Sequence, residues 1–266
     1  MGFLEVNDIT HIYFSKKATT TALIDVNFTV EEGEFISLLG PSGCGKTTLL
    51  SIIAGLIEPT VGTISLENEQ IRNNNKKIGY MLQQDYLFPW KTIEENILLG
   101  LKLTNQLNDE TRKTTIALLE KMGLYNVENK YPAELSGGMR QRVALVRTLA
   151  TNPKVLLLDE PFSALDFQTK LKLEDLVFNT LKQFGKTAIL VTHDIGEAIA
   201  MSDRIYLFSN RPGTIVKEFI VPDELRILEP FHARNHPLYN ERFQTIWEEL
   251  NSLENENSHR SPARRI

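Results

Sequence analysis

The sequence predicts an α/β protein, and three features carry that prediction. Phe35 to Leu39 and Val155 to Leu158 are short apolar runs of the kind that form strands covered on both faces of a parallel sheet, and each exits into a polar loop. From Leu4 to Val30 the apolar residues recur in a strand-like way, as Leu4, Val6 and Ile9, then Ile12 to Phe14, then Leu23 to Val30, which gives a β-rich start. Ahead of Val155, residues 84–150 carry helical periodicity and read as a helical insert.

After the turn Glu31-Glu32-Gly33, the strand Phe35 to Leu39 leads into Gly40-Pro41-Ser42-Gly43-Cys44-Gly45-Lys46-Thr47-Thr48, and Thr47 to Ala54 reads as a helix. The glycines remove side chains, so successive backbone N–H groups can turn inward and surround a polyphosphate at the positive end of that helix. Lys46 then reaches the β- and γ-phosphates, and the Thr47 hydroxyl is placed to ligate Mg²⁺. With strand, loop, Lys-Thr pair and helix all in order, the stretch is read as a nucleoside triphosphate site rather than a Gly-rich helix cap. Cys44 lies in the same loop, where a helix N-terminus can lower a thiol pKa, so it is expected to alkylate and to be protected by nucleotide. Tyr13, upstream, is read either as a ring on which an adenine stacks or as a core aromatic.

Glu58 to Gly62 makes a turn, Thr63 to Leu66 another strand, and Ile71 to Lys77 a polar loop. Ile78 to Leu82 is a buried strand ending at Gln83-Gln84, and Gln83 is positioned to coordinate Mg²⁺ or the attacking water. Asp85 to Trp90 then gathers Tyr86, Leu87, Phe88 and Trp90 around Pro89, as a docking surface or as the core of the insert. Thr92 to Leu103 and Asp109 to Met122 are helical.

Leu135-Ser136-Gly137-Gly138 precedes a helix with apolar Val143, Leu145, Val146 and Leu149, which makes either a second anion-binding helix start or a simple serine cap. Val155 to Leu158 brings Asp159 and Glu160 out at the C-terminal end of a strand, where open α/β sheets bind ligands, and Pro161 stops the strand. Asp159 fits a direct or outer-shell Mg²⁺ partner, and Glu160 can polarise a water for in-line attack on a γ-phosphate. In the turn Ser163-Ala164-Leu165-Asp166, Asp166 crosses to a neighbouring subunit or caps the helix from Gln168. Ala188 to Thr192 is a further buried strand, and His193 at its exit can hydrogen-bond the γ-phosphate.

The 266 residues suffice for one large domain or two small ones. A formal net charge of −5 argues against a nucleic-acid partner. The single cysteine excludes an internal disulfide. Met1 to Thr10 lacks the basic start and apolar core of a secretory signal, and no apolar run approaches the roughly 20 residues that span a bilayer, so any membrane role is expected to be borrowed from a partner.

Taken together and in this order, the motifs resemble the ATP-binding subunit of an ABC transporter over Val6 to Gly213: Gly40 to Thr48 as Walker A, Gln83 as the Q-loop, Leu135 to Gln141 as the signature, Val155 to Glu160 as Walker B, Ser163 to Asp166 as the D-loop and His193 as the switch histidine. The resemblance implies a P-loop NTPase (RecA-like) core with an N-terminal antiparallel β subdomain and an inserted α-helical subdomain. It implies ATP and Mg²⁺ as cofactors, Tyr13 as the adenine-stacking residue, and ATP hydrolysis. It also implies a head-to-tail dimer, most simply of identical copies, in which Ser136, Gly137 and Gly138 of one copy close over the ATP on Lys46 of the other.

Leu87 to Trp90, Thr92 to Asn96 and Ser209 to Ile215 look like importers of nitrate, taurine, aliphatic sulfonates, bicarbonate or thiamine-precursor pyrimidines. That likeness implies transmembrane permease subunits docked near Gln83 to Trp90, an extracytoplasmic solute-binding protein acting indirectly, and a peripheral place on the cytoplasmic face of the membrane. The competing readings are a soluble ABC-type ATPase acting on ribosomes or DNA and an exporter or lipoprotein-release ATPase. The expected division is an ATPase domain at 1–215 and a helical extension at 216–266. In the extension Tyr239, Phe243, Ile246 and Leu250 share one helix face, and the basic end with Arg260, Arg264 and Arg265 is expected to be disordered.

Overall fold

A computed structural model describes residues 2–15, 18–72, 75–163 and 165–259. Ala164 and the three terminal arginines named above therefore lie outside the described residues. The chain forms two compact units, one made of Met1–Asn75 with Thr187–Ile266 and the other of Lys76–Lys186.

The first unit opens with β1 (Leu4–Phe14) and β2 (Thr19–Val30), paired antiparallel from Leu4 opposite Val30 to Phe14 opposite Thr19. The two apolar runs of the sequence are one continuous strand here, because register shifts between Val6 and Ile12 absorb the break in alternation. Next come β3 (Phe35–Leu39), α1 (Lys46–Ile53), β4 (Val61–Leu66) and the short β5 (Glu69–Gln70). Strands β2, β1, β4 and β5 lie side by side in an antiparallel sheet. Every residue of β3 is buried, as its apolar run requires.

The second unit holds β6 (Ile78–Met81), α2 (Ile93–Ile97), α3 (Leu99–Leu103), α4 (Asp109–Lys121), α5 (Gly137–Ala150), β7 (Val155–Asp159) and α6 (Phe167–Gln183). Strands β6 and β7 are parallel, Ile78 opposite Val155 and Met81 opposite Leu158. The helical stretch expected from Thr92 to Leu103 is divided into α2 and α3 at Leu98. Thr92 and Asn108 start α2 and α4 with reciprocal capping boxes. The compact unit is wider than the insert read at 84–150, since it takes in both strands and α6.

The chain then returns to the first unit with β8 (Thr187–Thr192), α7 (Ile195–Met201), β9 (Arg204–Phe208), β10 (Ile215–Ile220), α8 (Asp223–Arg226), α9 (Pro230–Ala233) and α10 (Pro237–His259). Strand β3 lies between β8 and β9 and is parallel to both, and β10 pairs antiparallel with β9. A boundary at 215/216 would therefore cut at a sheet strand. Beyond it, Leu225, Ala233 and Ile246 are buried in one cluster with Leu39, Ile195, Ile199 and Phe219, and Tyr239, Phe243, Leu250 and Leu253 pack against that cluster. The predicted apolar face of the last helix is thus part of the first unit's core, and α10 continues to His259, past the point where the sequence turns polar. Among the described residues no helix is long and apolar enough to cross a membrane.

Because Ile246 is fully buried, Ile246→Ala leaves a cavity and is expected to cost about 2–5 kcal/mol of stability. Urea denaturation measures this, and a loss under about 0.5 kcal/mol, the size of an ordinary surface change, would show that α10 is not part of the core.

Candidate nucleotide-binding site

Each unit carries its own group of predicted site residues. In the first unit the phosphate loop leaves β3 and enters α1 through Gly45, whose φ of 114° is open to glycine alone. A Cβ there would also lie 2.8 Å from the Ala22 carbonyl oxygen. Lys46 is 4% exposed and folds back on the loop, donating to the carbonyls of Gly40 at 2.7 Å and Pro41 at 2.9 Å. Ser42, Gly43 and Thr47 are exposed on the loop, while Gly40, the end of β3 and Cys44 are buried. Thr48 shares a 3.2 Å hydrogen bond with the Tyr13 hydroxyl, and Tyr13, 40% exposed, meets the His11 ring edge-on at 4.6 Å.

Gly213 supports the loop from behind. Its N–H donates to Ala22, its carbonyl accepts from Ile24, and a Cβ on it would fall 2.1 Å from the Cys44 carbonyl oxygen. His193 stands exposed immediately after β8. Its neighbours are fixed: Asp194 caps α7 by accepting from Gly196 and Glu197, and Thr192 donates to the buried carboxylate of Glu197.

The second unit brings together the predicted acid and glutamine. Asp159 is 4% exposed at the end of β7 and accepts from the Tyr80 hydroxyl at 3.3 Å. Glu160 follows with φ 46°, a left-handed conformation unusual outside glycine. Its Oε2 accepts from Gln83 Nε2 at 3.2 Å. The glutamate carbonyl accepts from both the N–H and the hydroxyl of Ser163. Asp166 caps α6 through Thr169, and hydrogen bonds from Thr169 hold its carboxyl below the usual range.

Ser136 caps α5 by accepting from Met139, Gly137 is exposed beside it, and Gly138 is buried with no room for a Cβ against Thr169. Helix α5 also grips the loop after Gln83. Gln141 donates to the Gln83 carbonyl, Arg140 pairs with Asp85 at 2.9 Å, and Arg147 donates to the carbonyls of Asp85 and Tyr86. A cavity of about 360 Å³ lies between Gln83 to Tyr86 and Gly137 with Arg140. Asn96, fully buried, accepts from Phe88 N and donates to the carbonyls of Phe88, Lys91 and Thr92. Leu87 is thereby core, while Tyr86 and Trp90 are 58% and 71% exposed.

Several of these residues escape sequence reasoning. Arg140 and Arg147 stand two turns apart on one helix face, a legible spacing whose partner is not legible. Asp194 has the residue type of a helix cap. Asn96 and Gly213 fall within stretches that carry the importer resemblance, but nothing in their residue type shows what they hold in place.

The family described as ABC transporter matches residues 23–163. The chain is 65% identical over 254 residues to an uncharacterised ABC transporter ATP-binding protein, YtlC, of Bacillus subtilis (strain 168), covering 96% of this chain and 98% of that one. It is 41% identical to the nitrate import ATP-binding protein NrtD of Synechocystis sp. (82% of each chain) and 44% identical to the taurine import ATP-binding protein TauB of Pelagibacter ubique (78% of each). The dimeric structure of the ATP-binding cassette MJ0796 bound to ADP and Pi superposes with a TM-score of 0.73 at 34% identity, covering 82% of this chain and 99% of that one.

The burial of Cys44, 1% exposed, corrects the expected reactivity: its position near the helix start is offset by the loss of access. Iodoacetamide is expected to label the native protein roughly tenfold or more slowly than the denatured protein, with or without nucleotide. Fast native labelling, followed by mass spectrometry, would show the loop open.

Proposed function

The chain belongs to the ABC transporter ATP-binding family and is an ATPase, and from that premise we propose that it powers uptake of a small, anionic solute of the sulfonate, taurine or nitrate class through separate transmembrane subunits. The observation that carries the reading is the bonded path in the second unit. The exposed Tyr86 and Trp90 belong to a loop tied to the signature helix by Arg140, Arg147 and Gln141, and the same loop begins at Gln83, whose amide holds Glu160. A permease pressing on that loop would act on the signature helix and on the carboxylate together.

In this reading Lys46 balances the β- and γ-phosphate charge, Gly40 to Thr48 supply the cradle, and Tyr13 stacks on the adenine. Glu160 accepts the proton of a water that attacks the γ-phosphorus as the bond to the ADP oxygen breaks, with Gln83 and His193 orienting water and phosphate. Ser136, Gly137 and Gly138 serve the nucleotide of a second, identical copy, and Asp166 lies at the same junction while capping its own helix. Among the described residues no group of three or more His, Cys, Asp or Glu could hold a metal. The Thr47 hydroxyl, the Asp159 carboxylate and the Gln83 amide oxygen are the hard oxygen donors that Mg²⁺ takes, and in this reading they would hold it. That ion would supply charge neutralisation at the phosphates. The protein sits peripherally at the cytoplasmic face of the membrane, held by its permease, and a solute-binding protein outside delivers the solute.

Glu160→Gln is expected to lower turnover about 10²- to 10⁴-fold while titration with a fluorescent ATP analogue shows binding retained. Turnover like the wild type would remove Glu160 from the chemistry. Membranes solubilised with ATP and Mg²⁺ in the presence of tagged Glu160→Gln should yield a multi-span permease, and Trp90→Ala should release it. Recovery of ribosomes or DNA-repair proteins instead would overturn the import reading.

A further inference from the structure

The turn that carries His193 is fixed on one side by its own neighbours. Asp194 N donates to Thr192 Oγ1 at 3.0 Å, Thr192 Oγ1 donates to Glu197 Oε2 at 2.5 Å, and Asp194 Oδ1 accepts from Gly196 and Glu197 at 2.7 and 3.2 Å. The other side is closed by α10. A methyl group on Gly196 would lie 2.7 Å from Tyr239 Oη and 3.0 Å from Asp194 Oδ1, so the tyrosine hydroxyl and the capping carboxylate flank the same backbone carbon.

Tyr239 is itself held. Its ring lies 6.3 Å from Phe243, which stacks on Trp247 at 6.4 Å and 10°, and the same helix buries Ile246 against the cluster that includes Ile195, Ala198 and Ile199 of α7. Apolar packing alone would be met by phenylalanine at this position. Tyr239 is partly buried, and its hydroxyl is placed against Gly196 beside the capping carboxylate, where a polar group has polar neighbours.

We propose that Tyr239 is a positioning residue for ATP hydrolysis: its hydroxyl braces Gly196 and the Asp194 cap, and through them sets the direction in which His193 leaves β8. The C-terminal helix thereby controls turnover without touching nucleotide. This rests on the reading of His193 as the group that faces the γ-phosphate.

The test uses the full chain and four proteins: wild type, Tyr239→Phe, His193→Ala and the double variant. Tyr239→Phe is expected to lower kcat about fivefold, the scale of one lost polar contact, with KM for ATP and Tm unchanged. In the His193→Ala background, followed by single-turnover hydrolysis of labelled ATP, the same substitution is expected to have no further effect, because both changes act through one group. A wild-type kcat for Tyr239→Phe, or an equal fivefold loss in the His193→Ala background, overturns the proposal. If His193→Ala is impaired and Tyr239→Phe is not, the proposal alone falls. If His193→Ala hydrolyses ATP at the wild-type rate, the role of His193 falls and the proposal falls with it.

Discussion

Backbone N–H groups that are to face an anion cannot also be paired within a helix or sheet, so a phosphate loop has to be held in shape from outside itself. Much of the first unit answers that constraint. Strand β3 gives the loop a buried root, flanked by parallel β8 and β9. Gly45 takes the left-handed turn, and Gly213 brings a separate segment against the Cys44 carbonyl more closely than any side chain would allow. Lys46 completes the arrangement by spending its hydrogen bonds on Gly40 and Pro41, which keeps the ammonium at the loop's centre. The antiparallel sheet reaches the same place through the Tyr13 to Thr48 contact.

The second unit meets a related demand in the proposed mechanism. A carboxylate that is to activate water must be aimed rather than free to rotate, and Glu160 is held by its backbone as well as its side chain. A left-handed glutamate is strained, and such strain persists where surrounding contacts over-determine it. Here the carbonyl is taken by Ser163, the side chain by Gln83, and the residue before it, Asp159, is buried against Tyr80. Ser163 thus has a local role in fixing Glu160 that does not depend on a second subunit.

Legibility in the sequence follows from where each residue's partners lie. Strands β3 and β7 are plain because burial on both faces leaves an unbroken apolar run, and the Gly-Lys-Thr loop is plain because its chemistry is local. Helix α10 is legible as an amphipathic face from Tyr239, Phe243, Ile246 and Leu250, yet its docking onto α7 is not, because the complementary face lies far back in the chain. For the same reason the burial of Cys44 against Gly40 and the four bonds of Asn96 were beyond reach: both depend on a neighbour's orientation rather than on residue type. The continuity of β1 was hidden by bulges, which break the alternation that sequence reading depends on.

The use of arginine to tie the loop after Gln83 to the signature helix has a further consequence. Burial pulls the Arg147 guanidinium below its ordinary value, and a lysine in such a place could lose its proton. Arginine starts so high that it stays charged, and its planar fork spans the Asp85 and Tyr86 carbonyls at once, which a point-like ammonium would do less well. Arg140 adds the carboxylate of the same Asp85. The charge that ties the exposed aromatic loop to α5 is therefore kept across physiological pH on the arginine side. In the proposed role the loop has to transmit a displacement to α5, and a guanidinium that keeps its charge while forking to two carbonyls suits that task better than an ammonium.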